Sequence, residues 1–205
     1  MRIGIFGGSF DPVHYGHLIV AECCREQAAL DRVLFVPAAI QPHKQDRRLA
    51  AGEDRAAMLA LATGGHPAFE VSTVEMDRGG VSYTVDTLEA LKTSHVADAL
   101  FLILGPDALA GLPTWRDPDR ILSLVELIAV ERAGVDDVAA LVAEPRLASL
   151  LGPARAGQVA ATRVTCPAIG IRASELRTAV AAGRSIRHRT PRAVEQYIAS
   201  HRLYQ

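Results

Sequence analysis

The opening seventeen residues, MRIGIFGGSFDPVHYGH, constrain the fold more than any other stretch of the chain. Arg2-Ile3-Gly4-Ile5-Phe6 is a short run of β-formers, and Gly7-Gly8 ends it. Ser9, Asp11 and Pro12 are turn formers, and a helix is expected from Tyr15 to Ala29. Strand, glycine turn and helix in succession aim backbone N–H groups and a helix N-terminus at a phosphate. The turn is not the dinucleotide-binding G-x-G-x-x-G, and it lacks the G-x-x-x-x-G-K-[ST] of a P-loop. What sets it apart is the pair His14 and His17, three residues apart and so on one helix face. Gly16 between them leaves room for a ligand near the backbone. Either histidine alone reads as a surface residue; the two together, behind a glycine turn that follows the first strand, read as a phosphate site.

The rest of the chain reads as an α/β protein. Arg32–Val36 is a continuous apolar run of the kind found in a parallel strand buried on both faces, and Pro37 ends it. The loop beyond carries Pro42-His43-Lys44; a loop at the C-terminal end of such a strand is where ligands sit. His43 and Lys44 are therefore candidate phosphate contacts, weighed evenly against an ordinary solvated loop. Gly52–Leu61 reads as a helix with acidic residues in its first turn, and 69–74 as a strand at a sheet edge. Asp77-Arg78-Gly79-Gly80 is a turn. Ser82 or Thr84 could cap the next helix, whose exposed N–H groups could also hold a small anion.

Ala99–Leu104 is the most apolar run and reads as the central strand. Gly105-Pro106-Asp107 is a turn at its end, with a carboxylate suited to ribose hydroxyls. Trp115, the only tryptophan, offers either a stacking surface for a heteroaromatic ring or a plug over the sheet edge. Glu126–Val130 is the next strand, and 158–165 a candidate last one. Ser174 and Arg177 share a face at a helix start, a second candidate phosphate site. A final helix is expected from Pro191 to His201, with proline at its first position.

The whole reads as a doubly wound, mostly parallel sheet with helices on both faces, a single domain over 1–205 with a small helical segment from about 171. At 205 residues and 49% hydrophobic content it can bury a sizeable core. A formal charge of −1 gives no general electrostatic case for nucleic acid or a membrane surface as partner. No apolar run is long enough to cross a bilayer, and no signal peptide is read at the start. Cys23, Cys24 and Cys166 form neither a disulfide framework nor a zinc pattern. The expectation is a reduced, cytoplasmic enzyme whose cysteines fill its core, with no metal site of its own and with oligomeric state left open, a homo-oligomer included.

GGSFDPVHYGH, PHK, SYTVDTL, LGPDAL, TWRDPDRIL and IRASELR…GRSIRHRTPRAVEQYI together resemble bacterial nicotinate-nucleotide adenylyltransferases, the NAD-synthesis members of the nucleotidyltransferase superfamily with the HIGH-type motif. The matches run from residue 3 to about 204, and SYTVDTL and TW point to the pyridine-nucleotide branch. The resemblance implies that His14 and His17 bind ATP phosphates, that Gly7, Gly8, Ser9 and Phe10 line the reacting phosphate, and that Lys44 approaches the phosphates with His43 beside it. It implies further that Ser174 and Arg177 meet the triphosphate, and that Asp107 meets a ribose. Thr84 and the Trp115–Arg116 backbone would hold the nicotinate carboxylate, with Trp115 stacking on the ring. Ser9 stands where the family more often has threonine. Arg172 and Ala173 stand where it usually has two small residues.

The implied reaction joins ATP, as its Mg²⁺ complex, to nicotinate mononucleotide. The acceptor's phosphate is already an anion at pH 7, so no general base or covalent intermediate is required. Orientation and stabilisation of charge are left to histidines, basic side chains and glycine N–H groups. Two alternatives stand beside this one: the same chemistry on another phosphorylated acceptor such as phosphopantetheine, and a nucleotide-binding regulator without turnover.

Overall fold

The computed structural model describes residues 1–40 and 49–205. In chain order the elements are β1 (Arg2–Gly8), α1 (Tyr15–Gln27), β2 (Arg32–Pro37), α2 (Gly52–Thr63), β3 (Phe69–Val71), α3 (Val74–Arg78), α4 (Thr84–Ser94), β4 (Ala99–Leu104) and α5 (Pro106–Gly111). A 3-10 turn follows (Leu112–Thr114), then α6 (Pro118–Leu124), β5 (Glu126–Arg132), α7 (Val138–Val142), α8 (Pro145–Ala161), β6 (Val164–Cys166), α9 (Ala173–Ala181) and α10 (Arg192–Ser200). The strands form one sheet in the order β3-β2-β1-β4-β5-β6, whose crossovers make it the expected doubly wound α/β architecture. β1 with β4, β4 with β5 and β5 with β6 all pair parallel, Ile3 opposite Leu100 and Ile103 opposite Ile128. β4 is buried along Leu100–Leu104, as a strand covered on both faces must be.

The chain falls into two compact units. The first comprises Met1–Phe6, Val20–Val33 and Tyr83–Ala168; the second comprises Gly7–Ile19, Leu34–Ser82 and Ile169–Gln205. In the first, Ile3, Ile5, Leu100, Leu102, Ile103, Leu127 and Ile128 lie in the core, each at most 5% exposed. Burying such a side chain contributes about 1.5–3 kcal/mol. Gln27 exchanges hydrogen bonds with both backbone groups of Thr165 (2.9 and 3.0 Å), clipping the end of α1 to β6. Cys24 and Cys166 are buried, and burial pushes the Cys166 thiol up to about 12 and that of Cys24 higher still, as inert core residues require. In the second unit Phe35, Met58, Leu59, Val194 and Ile198 are buried, and α10 packs on α2. Among the described residues no helix is long and apolar enough to cross a membrane.

Several boundaries differ from those expected. β1 continues through Gly7 and Gly8, since Gly8 O still accepts from Ala38 N (2.9 Å). The edge strand β3 stops at Val71, and Val74 begins a short helix instead. Pro106-Asp107 opens α5 rather than a turn, proline being suited to a first helical position. Residues 158–161 finish α8, which is broken at Gly152 (φ 69°), so the last strand is only Val164–Cys166. Pro191 precedes α10 as its cap rather than starting it. Neither Ser82 nor Thr84 caps α4. Tyr83 holds the cap position, and the Ser82 hydroxyl accepts from Ala39 N (2.9 Å) within the second unit.

Candidate active site

In the second unit the segment after β1 folds around two aromatic rings. Phe10 takes a left-handed backbone (φ 46°) that turns its side chain inward, where it is 1% exposed. Its ring meets the His17 ring edge-on (centroids 5.0 Å, 73°) and Phe35 likewise (5.7 Å, 60°). A Cβ on Gly8 would stand 3.1–3.3 Å from the Phe10 ring, so the second glycine makes room for that aromatic floor. Phe10 thus does more than lend backbone groups to the turn; its ring supports a histidine.

His14 and His17 stack face to face at 3.8 Å and 21°. The His14 backbone N–H donates to His17 Nδ1 (3.2 Å), and the His17 backbone N–H donates to His14 O (2.9 Å). With Nδ1 accepting, a neutral His17 carries its proton on Nε2, which makes Nε2 a fixed donor. Burial lowers the His14 pKa to about 4, and burial followed by the neighbouring His14 lowers that of His17 well below its ordinary value. Both rings are therefore neutral at pH 7. Gly16 also makes room within the turn: a Cβ there would lie 3.0 Å from the His14 ring. The glycine accommodates the histidine itself.

Three residues whose bracing role is not legible in the sequence hold this turn. Asp11, which reads only as a turn former, is fully buried; its Oδ1 accepts from Ala50 N (3.2 Å) and from the Tyr204 hydroxyl (2.6 Å). Arg55 is 2% exposed and binds four carbonyls: Nη1 donates to Ser9 O (3.0 Å) and Ala38 O (2.7 Å), Nε to Ala50 O (3.0 Å) and Nη2 to Ala39 O (3.4 Å). Burial lowers its pKa, and Asp11 opposes that shift. Tyr204 is the third. No local pattern marks Arg55 or Tyr204, and the turn position of Asp11 does not show its burial, because each acts through a partner remote in sequence.

Arg177 is engaged with the same turn. Its Nη1 donates to Asp11 O (2.7 Å) and lies 3.5 Å from the Asp11 carboxylate. Ser174, three residues before it on α9, is exposed. It lines a polar pocket of about 370 Å³ together with Glu175, Thr178, Arg184 and Arg189. Arg172 precedes α9 with its side chain largely exposed and 4.0 Å from Glu175, so its charge is turned to a neighbour. His43 and Lys44 lie outside the described residues.

The first unit holds the remaining expected residues. Thr84 is the first residue of α4, and no side chain caps that helix start. Trp115 is half-buried in extended backbone just after the 3-10 turn. The Arg116 guanidinium lies 4.7 Å over the Tyr83 ring and 3.5 Å from Asp86, which ties the tryptophan loop to the start of α4. Asp107 is exposed in the first turn of α5.

A doubly wound sheet whose first strand leads through a glycine turn to stacked histidines defines a nucleotidyltransferase-type α/β protein. In agreement, the family model described as Cytidylyltransferase-like matches residues 5–179. A probable nicotinate-nucleotide adenylyltransferase of Roseiflexus sp. (strain RS-1) is 46% identical over 99% of this chain and 98% of its own. One of Thermus thermophilus is 42% identical over the full length of both. The chain belongs to the cytidylyltransferase-like family and, within it, to the nicotinate-nucleotide adenylyltransferases. The fold is shared with Plasmodium falciparum nicotinic acid mononucleotide adenylyltransferase complexed with NaAD (TM-score 0.74, 18% identity, 99% of this chain and 97% of that one).

Proposed function

We propose that this chain transfers the adenylyl group of ATP to nicotinate mononucleotide, forming nicotinate adenine dinucleotide and releasing pyrophosphate, as a cytoplasmic step of NAD synthesis. The observation that carries the reading is end-to-end likeness, above 40% identity, to relatives of that name. The stacked histidine pair behind the glycine turn supports it.

In this reaction a phosphate oxygen of the mononucleotide forms a bond to the α-phosphorus of ATP while the bond from that phosphorus to the bridging β-oxygen breaks in line. The nucleophile needs no base. His17 Nε2–H donates to an α-phosphoryl oxygen as charge develops there, and the floor of Phe10 with the Nδ1 bond from His14 holds its ring in place. Because the imidazoles are neutral, they stabilise as oriented dipoles, and net positive charge comes from elsewhere. Arg177, anchored on Asp11, supplies it toward the triphosphate, with Ser174 beside it and with Lys44. Backbone N–H groups of Gly8, Ser9 and Phe10 line the reacting phosphate. ATP would enter as its Mg²⁺ complex, the metal offsetting phosphate charge. On the acceptor, Trp115 stacks on the pyridine, Thr84 and Arg116 present backbone donors to its carboxylate, and Asp107 and His43 meet the sugar-phosphate.

The test is product identification after mixing the chain with ATP or CTP and with nicotinate mononucleotide or phosphopantetheine in turn. Dinucleotide and pyrophosphate from ATP and nicotinate mononucleotide are expected. Turnover confined to another pair, or nucleotide binding without pyrophosphate release, would overturn the reading.

A further inference from the structure

The turn that carries the histidines is held from outside chiefly by the second unit's C-terminal segment. The Thr190 hydroxyl donates to Val13 O (2.8 Å), Tyr15 N–H to Arg189 O (3.2 Å), and Arg177 to Asp11 O (2.7 Å). The tail beyond α10 adds the shortest of these bonds, from the Tyr204 hydroxyl to Asp11 Oδ1 (2.6 Å). To reach it the backbone passes through left-handed conformations at Arg202 (φ 52°) and Tyr204 (φ 63°). Such conformations in residues with full side chains persist only where the surroundings over-determine them. The carboxylate they serve is 0% exposed and shared with Ala50 N and Arg177. Asp11, the residue that follows Phe10, therefore ties the tail, α9 and the chain before α2 to the turn.

We infer that Tyr204 is a positioning residue for the triphosphate: its hydroxyl, by fixing Asp11, sets both the turn from Ser9 to His17 and the Arg177 guanidinium. This rests on the reading that the turn holds ATP phosphates. Tyr197 supplies a matched control. Its hydroxyl donates to the Asp54 carboxylate (2.9 Å), also from the C-terminal segment and half-buried, but to helix α2 rather than to the turn.

The experiment compares Tyr204→Phe and Tyr197→Phe with the wild type in ATP affinity by calorimetry, in thermal midpoint, and in KM for ATP and for nicotinate mononucleotide. Loss of a hydroxyl bound to a buried carboxylate should cost Tyr204→Phe about tenfold in ATP affinity. Its KM for the mononucleotide should stay within about twofold; its midpoint should fall further than that of Tyr197→Phe, whose partner Asp54 is only half-buried, so affinities are compared at a temperature where all three proteins are folded. ATP affinity equal to wild type in Tyr204→Phe would overturn the inference, as would an equal loss in Tyr197→Phe. The calorimetric comparison needs no acceptor, so it decides the point even if the proposed acceptor proves wrong. A wild type that binds ATP but makes no dinucleotide would defeat the functional reading alone.

Discussion

Acidification should reveal the neutral histidine pair through stability. His14 has a folded pKa of about 4 against an ordinary value of 6.5, because burial in the turn penalises its charged form. Between those two values the unfolded chain binds a proton that the folded chain refuses, so stability rises with pH across the window and is lost as pH falls through it. At pH 5 the loss relative to pH 7 amounts to about 2 kcal/mol from His14 alone. His17, lowered further in the same direction, adds to it. Urea unfolding of the wild type and of His14→Gln at a series of values between pH 7 and 5 isolates the effect, since most carboxylates stay ionised there. The variant should lose about 2 kcal/mol of the pH dependence, whatever its stability at pH 7. Identical slopes in the two proteins would show that His14 is not held neutral, and would remove the basis for treating the pair as uncharged donors.

Three further outcomes follow from the site. His17→Ala should fold normally and lose about 10²–10³ in kcat, the usual cost of one aimed donor to a developing oxyanion; near-wild-type kcat in the folded variant would exclude that role. Since the donor is a neutral imidazole, kcat should not fall as pH rises from about 6.5 to 8.5, whereas an imidazolium donor would lose its proton in that range. Lys44→Ala should raise KM for ATP more than KM for the mononucleotide, because a compact ammonium best serves a polyphosphate; a change in the acceptor KM alone would place Lys44 at the other substrate.

How much is legible from sequence depends on how local the signal is. The strands Arg32–Pro37 and Ala99–Leu104 announce themselves as unbroken apolar runs because parallel strands covered on both faces have no polar side. The His14–His17 pair is legible from its three-residue spacing, although His14 lies just before α1 rather than on it. What that spacing does not convey is the stacking, the Phe10 floor or the neutrality, all of which arise from burial. Asp11 looks like a turn residue because aspartate suits turns, and its burial follows only from Arg177 and Tyr204, far away in the chain. The α3 helix escapes a sequence reading because Ser72–Val74 continues a β-favouring run and its five residues leave little periodicity to read. Gly16 reads as a close-approach site for a ligand; that a Cβ there would also lie 3.0 Å from the His14 ring is a contact the local sequence does not convey.

The choice of acceptor is decided by kcat/KM for pyrophosphate release with nicotinate mononucleotide and with nicotinamide mononucleotide at saturating ATP. In the proposed arrangement, two backbone donors, at the start of α4, which no side chain caps, and in the tryptophan loop, would pair with both oxygens of a carboxylate. A carboxamide would turn its NH₂ toward one of them and leave it unpaired. Such a mismatch is worth about 10²-fold or more. A preference of at least that order for the acid is expected, with Trp115→Ala lowering both values and leaving their ratio nearly unchanged. Equal use of acid and amide, or no pyrophosphate release with either, would contradict the assignment of this chain as a nicotinate mononucleotide adenylyltransferase in its own right.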